Sequence, residues 1–245
     1  MQNYKLTIQY DGGRYKGWQR LGNNENTIQG KIEGVLSEML GHPIEIIGCS
    51  RTDAGVHALG QIANFKIDKD LPCQEIGHYL NRYLPRDISV IKVDKVDEKF
   101  HARYQAKAKT YLYKIWNKEY TNPFMRKYSM HVPEQLNLTN MRLSANYFIG
   151  EHDFTAFSNA KSKKKSMVRQ LYAIEISREG DLILIKICGN GFLYNMARWI
   201  VGTLIDVGLG NIKAEAIPDI IASKRRDRTG NMAEAAGLYL QEIHY

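Results

Sequence analysis

Cysteine is scarce in the 245 residues: Cys49, Cys73 and Cys188 stand far apart, with no CxxC pair. Thiolate zinc sites and disulfide frameworks need clustered cysteines, so the sequence argues against both and fits a reducing, cytoplasmic compartment. Long apolar runs are missing as well, and none approaches the ~20 residues that cross a bilayer. The opening MQNYKLTIQY enters a strand-like alternation directly, so neither a signal peptide nor a membrane partner is expected. Phosphate loops of the usual spacing are absent. Gly12, Gly13 and Gly17, and the run Gly189-Asn190-Gly191, match neither a Walker nor a dinucleotide pattern and read as turn residues. No simple repeat or long linker divides the chain.

Acid is missing from two stretches, and this absence says more than the total charge. Lys99–Lys118 holds six Lys/Arg and no carboxylate, with Phe100, Tyr104, Tyr111, Tyr113 and Trp116 interleaved. Phe154–Ile174 holds Lys161, Lys163, Lys164, Lys165 and Arg169, again without an acid. A single basic run is usually a solvated face. Two such runs, in a chain of net charge +8 and pI near 9.2, form the footprint of a nucleic-acid surface.

Apolar residues make up 44% of the chain and charged residues 24%, the composition of a globular protein that buries a core. Tyr4, Leu6, Ile8 and Tyr10 alternate as in a strand. Thr27 is placed to cap a helix over 28–40, with Ile28, Ile32, Val35, Leu36 and Met39 on one face. Further strands are predicted at 44–47, 63–67, 88–96, 109–116, 171–178, 181–188 and 238–244, and helices at 74–83, 139–149, 193–208 and 213–224. Strands and helices mixed through both halves predict an α+β protein. Its two related lobes, residues 1–104 and 105–245, would leave a cleft as the natural ligand site.

Asp53 is the one carboxylate between Ile46 and Ile67, set among Ala54, Gly55 and Val56. A lone charge in apolar surroundings is costly unless it is positioned and partnered, and Arg51 lies two residues away. Such a carboxylate serves as nucleophile, base or metal ligand. A metal role would pair it with His57 at i, i+4. Gly55 and Val56 sit badly in a short helix, however, and no further ligands cluster nearby, so no metal is expected. Cys49 has no placed histidine base and reads as a small buried side chain. In the helix predicted at 193–208, Arg198 flanks an apolar stripe, with no acid from Leu182 to Ile205. The residues alone leave it either a snorkelling surface arginine or a partner for a carboxylate such as Asp53 across the cleft.

The segment Ser50-Arg51-Thr52-Asp53-Ala54-Gly55-Val56-His57-Ala58 resembles the catalytic motif of the TruA-type tRNA pseudouridine synthases. The likeness covers nearly the whole chain. Tyr10-Asp11-Gly12, Gly17-Trp18-Gln19 and Thr27-Ile28-Gln29 precede the motif; Gly60-Gln61, Phe65, Asn81, Leu84-Pro85, Asp87-Ile88, Phe100-His101-Ala102-Arg103 and Tyr111-Leu112-Tyr113 follow it. Asp153-Phe154-Thr155, Phe157, the stretch Phe192–Gly202 and Gly237-Leu238-Tyr239-Leu240 complete the series.

The resemblance implies a pseudouridine-synthase fold of two ferredoxin-like lobes sharing a central antiparallel sheet, assembled as a homodimer. It implies isomerisation of uridine to pseudouridine in the anticodon stem-loop of tRNA, at positions 38, 39 or 40, without metal or organic cofactor. Carried over, Asp53 is the catalytic carboxylate and Arg198 its basic partner. Tyr111 is the catalytic tyrosine that packs on the target base beside Leu238 and helps move a proton, and Arg51 helps extrude the uridine. Lys161, Lys163, Lys164, Lys165 and Arg169 would hold phosphates. The chain departs from the family pattern at Ser50 (often glycine), Asn195 (often histidine), Ala197 (usually valine), Trp199 (often asparagine) and Glu234-Ala235-Ala236 (usually with proline). These departures open the reading of a paralogue acting on ribosomal or another structured RNA. A non-catalytic RNA-binding protein on the same scaffold and a metal-dependent nuclease using Asp53 and His57 are the rivals from other classes.

Overall fold

The structure, a computed structural model, describes residues 1–22, 26–159 and 166–245. They form two compact units, Met1–Lys107 with Tyr239–Tyr245, and Ala108–Leu238. The first holds β1 (Gln2–Tyr10), α1 (Ile28–Leu40), β2 (Ile47–Gly48), β3 (His57–Ile67), α2 (Cys73–Tyr83) and β4 (Ile88–Val96). The second holds β5 (Ala108–Trp116), β6 (Met130–His131), α3 (Leu138–Asn146), β7 (Gly150–Asp153), β8 (Val168–Glu179), β9 (Leu182–Gly189), α4 (Met196–Gly208) and α5 (Ile217–Ser223). The last strand, β10 (Leu238–His244), lies almost wholly in the first unit. The chain end thus returns to the first unit, a feature that one cut between 104 and 105 does not describe.

In the first unit β1 runs antiparallel between β3 and β4. Tyr4, Leu6 and Ile8 are fully buried, as their alternation predicts. Tyr4 and Phe65 face each other in the register and stack at 5.5 Å. Helix α1 begins where the Thr27 hydroxyl accepts the Gly30 N–H at 3.2 Å and ends at Gly41, whose φ is 77°. Its Ile28, Ile32 and Leu36 have no exposed surface, and each such burial stabilises by roughly 1.5–3 kcal/mol.

The strand expected at 44–47 shrinks to Ile47–Gly48. The backbone before it bonds to side chains of α1 instead of a strand: Ile44 N–H donates to Ser37 Oγ at 2.9 Å and Ile46 N–H to Glu33 Oε1 at 3.0 Å. The helix expected from 193 starts at Met196, because Asn195 adopts a left-handed φ of 61°. The helix expected at 213–224 divides into a 3-10 turn, Ala214–Ala216, and α5, which has proline in its first turn.

The second unit orders β5, β9, β8 and β7 as antiparallel neighbours. Phe148, Phe154 and Phe157, all fully buried, meet edge to face beneath them. The expected wholly antiparallel sheet is corrected to a mixed one, since β10 pairs parallel with β3 and β6 parallel with β5. Parallel pairing needs a long connection, and in both cases the chain supplies one. Among the described residues no helix is long and apolar enough to cross a membrane.

Candidate active site

The Asp53 turn is built from backbone. After β2, Cys49 N–H donates to Ile62 O at 2.8 Å. The ladder is then continued by a side chain. Gln61, fully buried, accepts the Ser50 N–H at 3.1 Å and donates to Ser50 O at 2.7 Å, acting as one more rung of strand. Thr52 is buried and its hydroxyl meets Tyr10 Oη at 2.7 Å. Val56 N–H closes the turn on Asp53 O at 3.2 Å, with Gly55 at φ 79°. Arg51 is exposed, and Asp53 is half-buried at the tip.

Residues 11–18 press on this turn from the other side. Trp18 N–H donates to Thr52 O at 3.0 Å. A Cβ on Gly12 would lie 1.9 Å from Val56 O, and one on Gly17 would lie 2.6 Å from Thr52 O and 3.1 Å from the Asp53 carbonyl carbon. These glycines are therefore close-approach residues and not simply turn residues, which corrects the sequence reading. Asp87 braces the bracing loop. Its carbonyl accepts the Asp11 N–H at 2.9 Å, and its carboxylate accepts the Tyr15 hydroxyl at 2.6 Å and pairs with Arg14. Burial, and then the Asp87 carboxylate, push the Tyr15 hydroxyl up to about 12.

The i, i+4 metal pair dissolves in three dimensions. Asp53 sits in a turn and His57 in β3, where the buried imidazole stacks on Tyr239 at 4.8 Å and takes the Gly12 N–H on Nδ1 at 3.1 Å. No group of three or more His, Cys, Asp or Glu gathers among the described residues. Cys49 is buried, as expected.

In the second unit Tyr111 lies on β5, nearly buried, with Phe192 edge-on at 4.8 Å. Its neighbour Tyr113 is a structural hydroxyl. Burial drives it far above the ordinary tyrosine range, and the neutral group donates to Glu234 O at 2.8 Å. Leu238 is buried at the start of β10.

Arg198 occupies the first turn of α4 and is tethered by a returning segment. Its Nε–H donates to Ala233 O at 2.7 Å, and Ala233 N–H donates back to Arg198 O at 3.1 Å. Nη1 lies 3.5 Å from Asn195 Oδ1. A Cβ on Gly202 would fall 1.6 Å from Asn231 O, so residues 231–233 lie flush along the helix. Arg198 as a residue is half-buried, and its Nε is held by a protein oxygen. Asn195 gains a reason too: asparagine tolerates the left-handed backbone better than most residues.

Arg169 is half-buried and bonds Ser166 O at 2.9 Å and Val168 O at 2.6 Å; burial lowers its guanidinium from the usual arginine value. Lys161, Lys163, Lys164 and Lys165 lie outside the described residues. Asp53 and Arg51 thus belong to the first unit, and Tyr111, Arg169, Arg198 and Leu238 to the second. Periodicity missed Gln61, Gly12, Gly17 and Ala233. The spacing of the glycines pointed to turns, and Gln61 showed only as part of the Gly60-Gln61 match.

The pattern described as tRNA pseudouridine synthase matches residues 6–105 and 144–245. A protein of Bacillus anthracis named tRNA pseudouridine synthase A 2 is 63% identical over 245 residues, the whole of both chains. A protein named tRNA pseudouridine synthase A from a Bacillus sp. is 61% identical, and one of the same name from Acetivibrio thermocellus 45%, each over 245 residues and all of both chains.

Proposed function

The chain belongs to the tRNA pseudouridine synthase family, and we propose that it acts in the anticodon stem-loop of tRNA, at positions 38, 39 and/or 40, with Asp53 as its catalytic carboxylate. The reaction is an isomerisation. The N1–C1′ bond of uridine breaks, a C5–C1′ bond forms, the C5 proton leaves and N1 takes one up. This balance needs no oxidant, reductant or organic carrier. A carboxylate serves it by adding to the sugar or the base, or by removing a sugar proton. The observation that carries the assignment is the Asp53 turn, whose backbone is pinned on both sides while its acid stands half-buried at the tip.

In this reading the fold is the two-lobed pseudouridine-synthase fold, and both lobes serve one uridine. Residues 1–104 supply the Asp loop, and 105–245 the Tyr111 strand and the Arg198 helix. Arg198 acts as counter-charge to Asp53. Tyr111 offers its ring to the free uracil beside Leu238. A stacked uridine must be flipped to be reached, and exposed Arg51 takes its place in the stack. Arg169 and Lys161, Lys163, Lys164 and Lys165 hold backbone phosphates. The active species is a homodimer, which light scattering after gel filtration tests directly.

Asp53→Asn is the decisive variant. Tritium release from tRNA labelled at uridine C5 should vanish, with tRNA affinity changed little; retained turnover would sink the assignment. Mapping pseudouridine in total RNA from cells with and without the gene tests the substrate. Loss at tRNA positions 38–40 supports it, and loss confined to ribosomal RNA replaces it.

A further inference from the structure

Next to Arg198 on α4, Trp199 takes part in a joint that the chemistry of isomerisation does not require. Its indole Nε1–H donates to Asn159 Oδ1 at 3.0 Å. Arg226, in the short turn after α5, donates through Nη1 to the same oxygen at 2.8 Å and to Ser158 O at 3.2 Å. Its guanidinium carbon also lies 5.6 Å from the Trp199 ring centre, within cation–π reach.

The bonds left over define what this arginine can take. A guanidinium has five N–H donors. The two on Nη1 go to neutral oxygens, and those on Nε and Nη2 have no acceptor among the described residues. No carboxylate lies within ion-pair reach of Arg226 among those residues. Its neighbours differ: Lys224 pairs with Asp153 at 2.7 Å and Arg225 with Asp227 at 2.5 Å. A carboxylate would hold Arg226 just as firmly and cancel its charge. Neutral carbonyls and a ring orient the group and leave both the charge and the Nε/Nη2 fork exposed. That fork matches two oxygens of a phosphate.

We infer that Arg226, held by Trp199 and Asn159, is a backbone-phosphate contact for the RNA substrate and positions the strand that passes α4. Phosphate contacts of this kind set register without reading sequence. The inference rests on the reading of the chain as an RNA-modifying enzyme, but not on the role of Asp53.

The test measures binding of a tRNA transcript to the full chain across a salt series, in the Asp53→Asn background, and turnover without that change. Arg226→Gln should weaken binding on the order of tenfold and lower the slope of log affinity against log salt by about one. In turnover the loss should fall mainly on KM for the tRNA, because a phosphate contact is made equally in ground and transition states. Arg226→Lys should restore the slope but only part of the affinity, since it keeps the charge and loses the fork. Arg225→Gln removes a charge already paired with Asp227, and should change affinity less than about twofold. An unchanged slope in Arg226→Gln overturns the inference, as does an equal loss in Arg225→Gln. A lowered melting temperature with the slope intact assigns Arg226 to folding, and overturns it too. Turnover retained in Asp53→Asn sinks the catalytic assignment alone.

Discussion

The two candidate groups are held in opposite ways. Around Asp53 the backbone is pinned: Gln61 bonds both polar groups of Ser50, Trp18 bonds Thr52 O, and Gly12 and Gly17 bring a second chain against the turn. At Arg198 the side chain itself is pinned, its Nε tied to Ala233 O. The difference suits the two roles proposed above. For the proposed catalytic carboxylate, the neighbouring segments fix the Cα. A counter-charge works best when its reorganisation is settled before the reaction begins. Glycine serves both, by letting backbone meet backbone where any side chain would intervene.

The sharpest way to break this comparison is to add a methyl group at each meeting point. Gly202→Ala puts a carbon 1.6 Å from Asn231 O, and Gly12→Ala puts one 1.9 Å from Val56 O. Neither obstacle is a side chain that can rotate away, so each should destabilise by about 3 kcal/mol or more. For a chain of this size that lowers the melting temperature by roughly 6–12 °C. In molecules that still fold, Gly12→Ala should reduce kcat, because it displaces the Asp53 turn. A melt unchanged from wild type in either variant would mean that the two segments are not in contact there.

Smaller effects separate the two regions. Gln61→Leu removes the two buried hydrogen bonds that Gln61 makes to Ser50, a loss of about 2–3 kcal/mol. Tyr113→Phe removes one bond to Glu234 O near Arg198, worth about 1 kcal/mol. Urea unfolding should rank them in that order. If Tyr113→Phe proves the more damaging, the Arg198 side depends on hydroxyl chemistry that its tether to Ala233 does not reveal.

Much of the fold was legible in the sequence because its signals are local. Alternation of Tyr4, Leu6 and Ile8 marks β1, and Thr27 and Gly41 mark the ends of α1. Asp53 was legible as an acid isolated among small residues. What was not legible depends on distant segments. The 44–47 stretch looks like a strand until Ser37 and Glu33 of α1 take its N–H groups. Gly12 and Gly17 have the look of turn glycines, and nothing local announces that their missing side chains make room for Val56 and Thr52. The tether of Arg198 is a main-chain carbonyl, Ala233 O, and carbonyls carry no sequence signature. The return of β10 to the first unit was hidden in the same way, since pairing with β3 spans most of the chain.

The smallest effect lies one layer out from the Asp53 turn, where Asp87 holds the loop that holds the turn. Tyr15→Phe removes the 2.6 Å bond to Asp87, whose carboxylate keeps its pair with Arg14, and should cost about 0.5–1 kcal/mol at neutral pH. The variant also carries a signature in pH. In the folded chain the Tyr15 hydroxyl is pushed up to about 12, first by burial and then by Asp87, against about 10 when unfolded. Between those values the folded state holds a proton that the unfolded state has released, so stability falls as pH rises. The contribution is fully present below about pH 10 and is lost as pH rises through about 12. Tyr15→Phe has no such proton, so its stability gap to wild type should be widest near neutrality and narrow over that window. Urea melts of both proteins at pH 8 and at successive alkaline values measure the gap. A gap that stays constant with pH would show that the bond to Asp87 contributes nothing to holding the Asp53 turn.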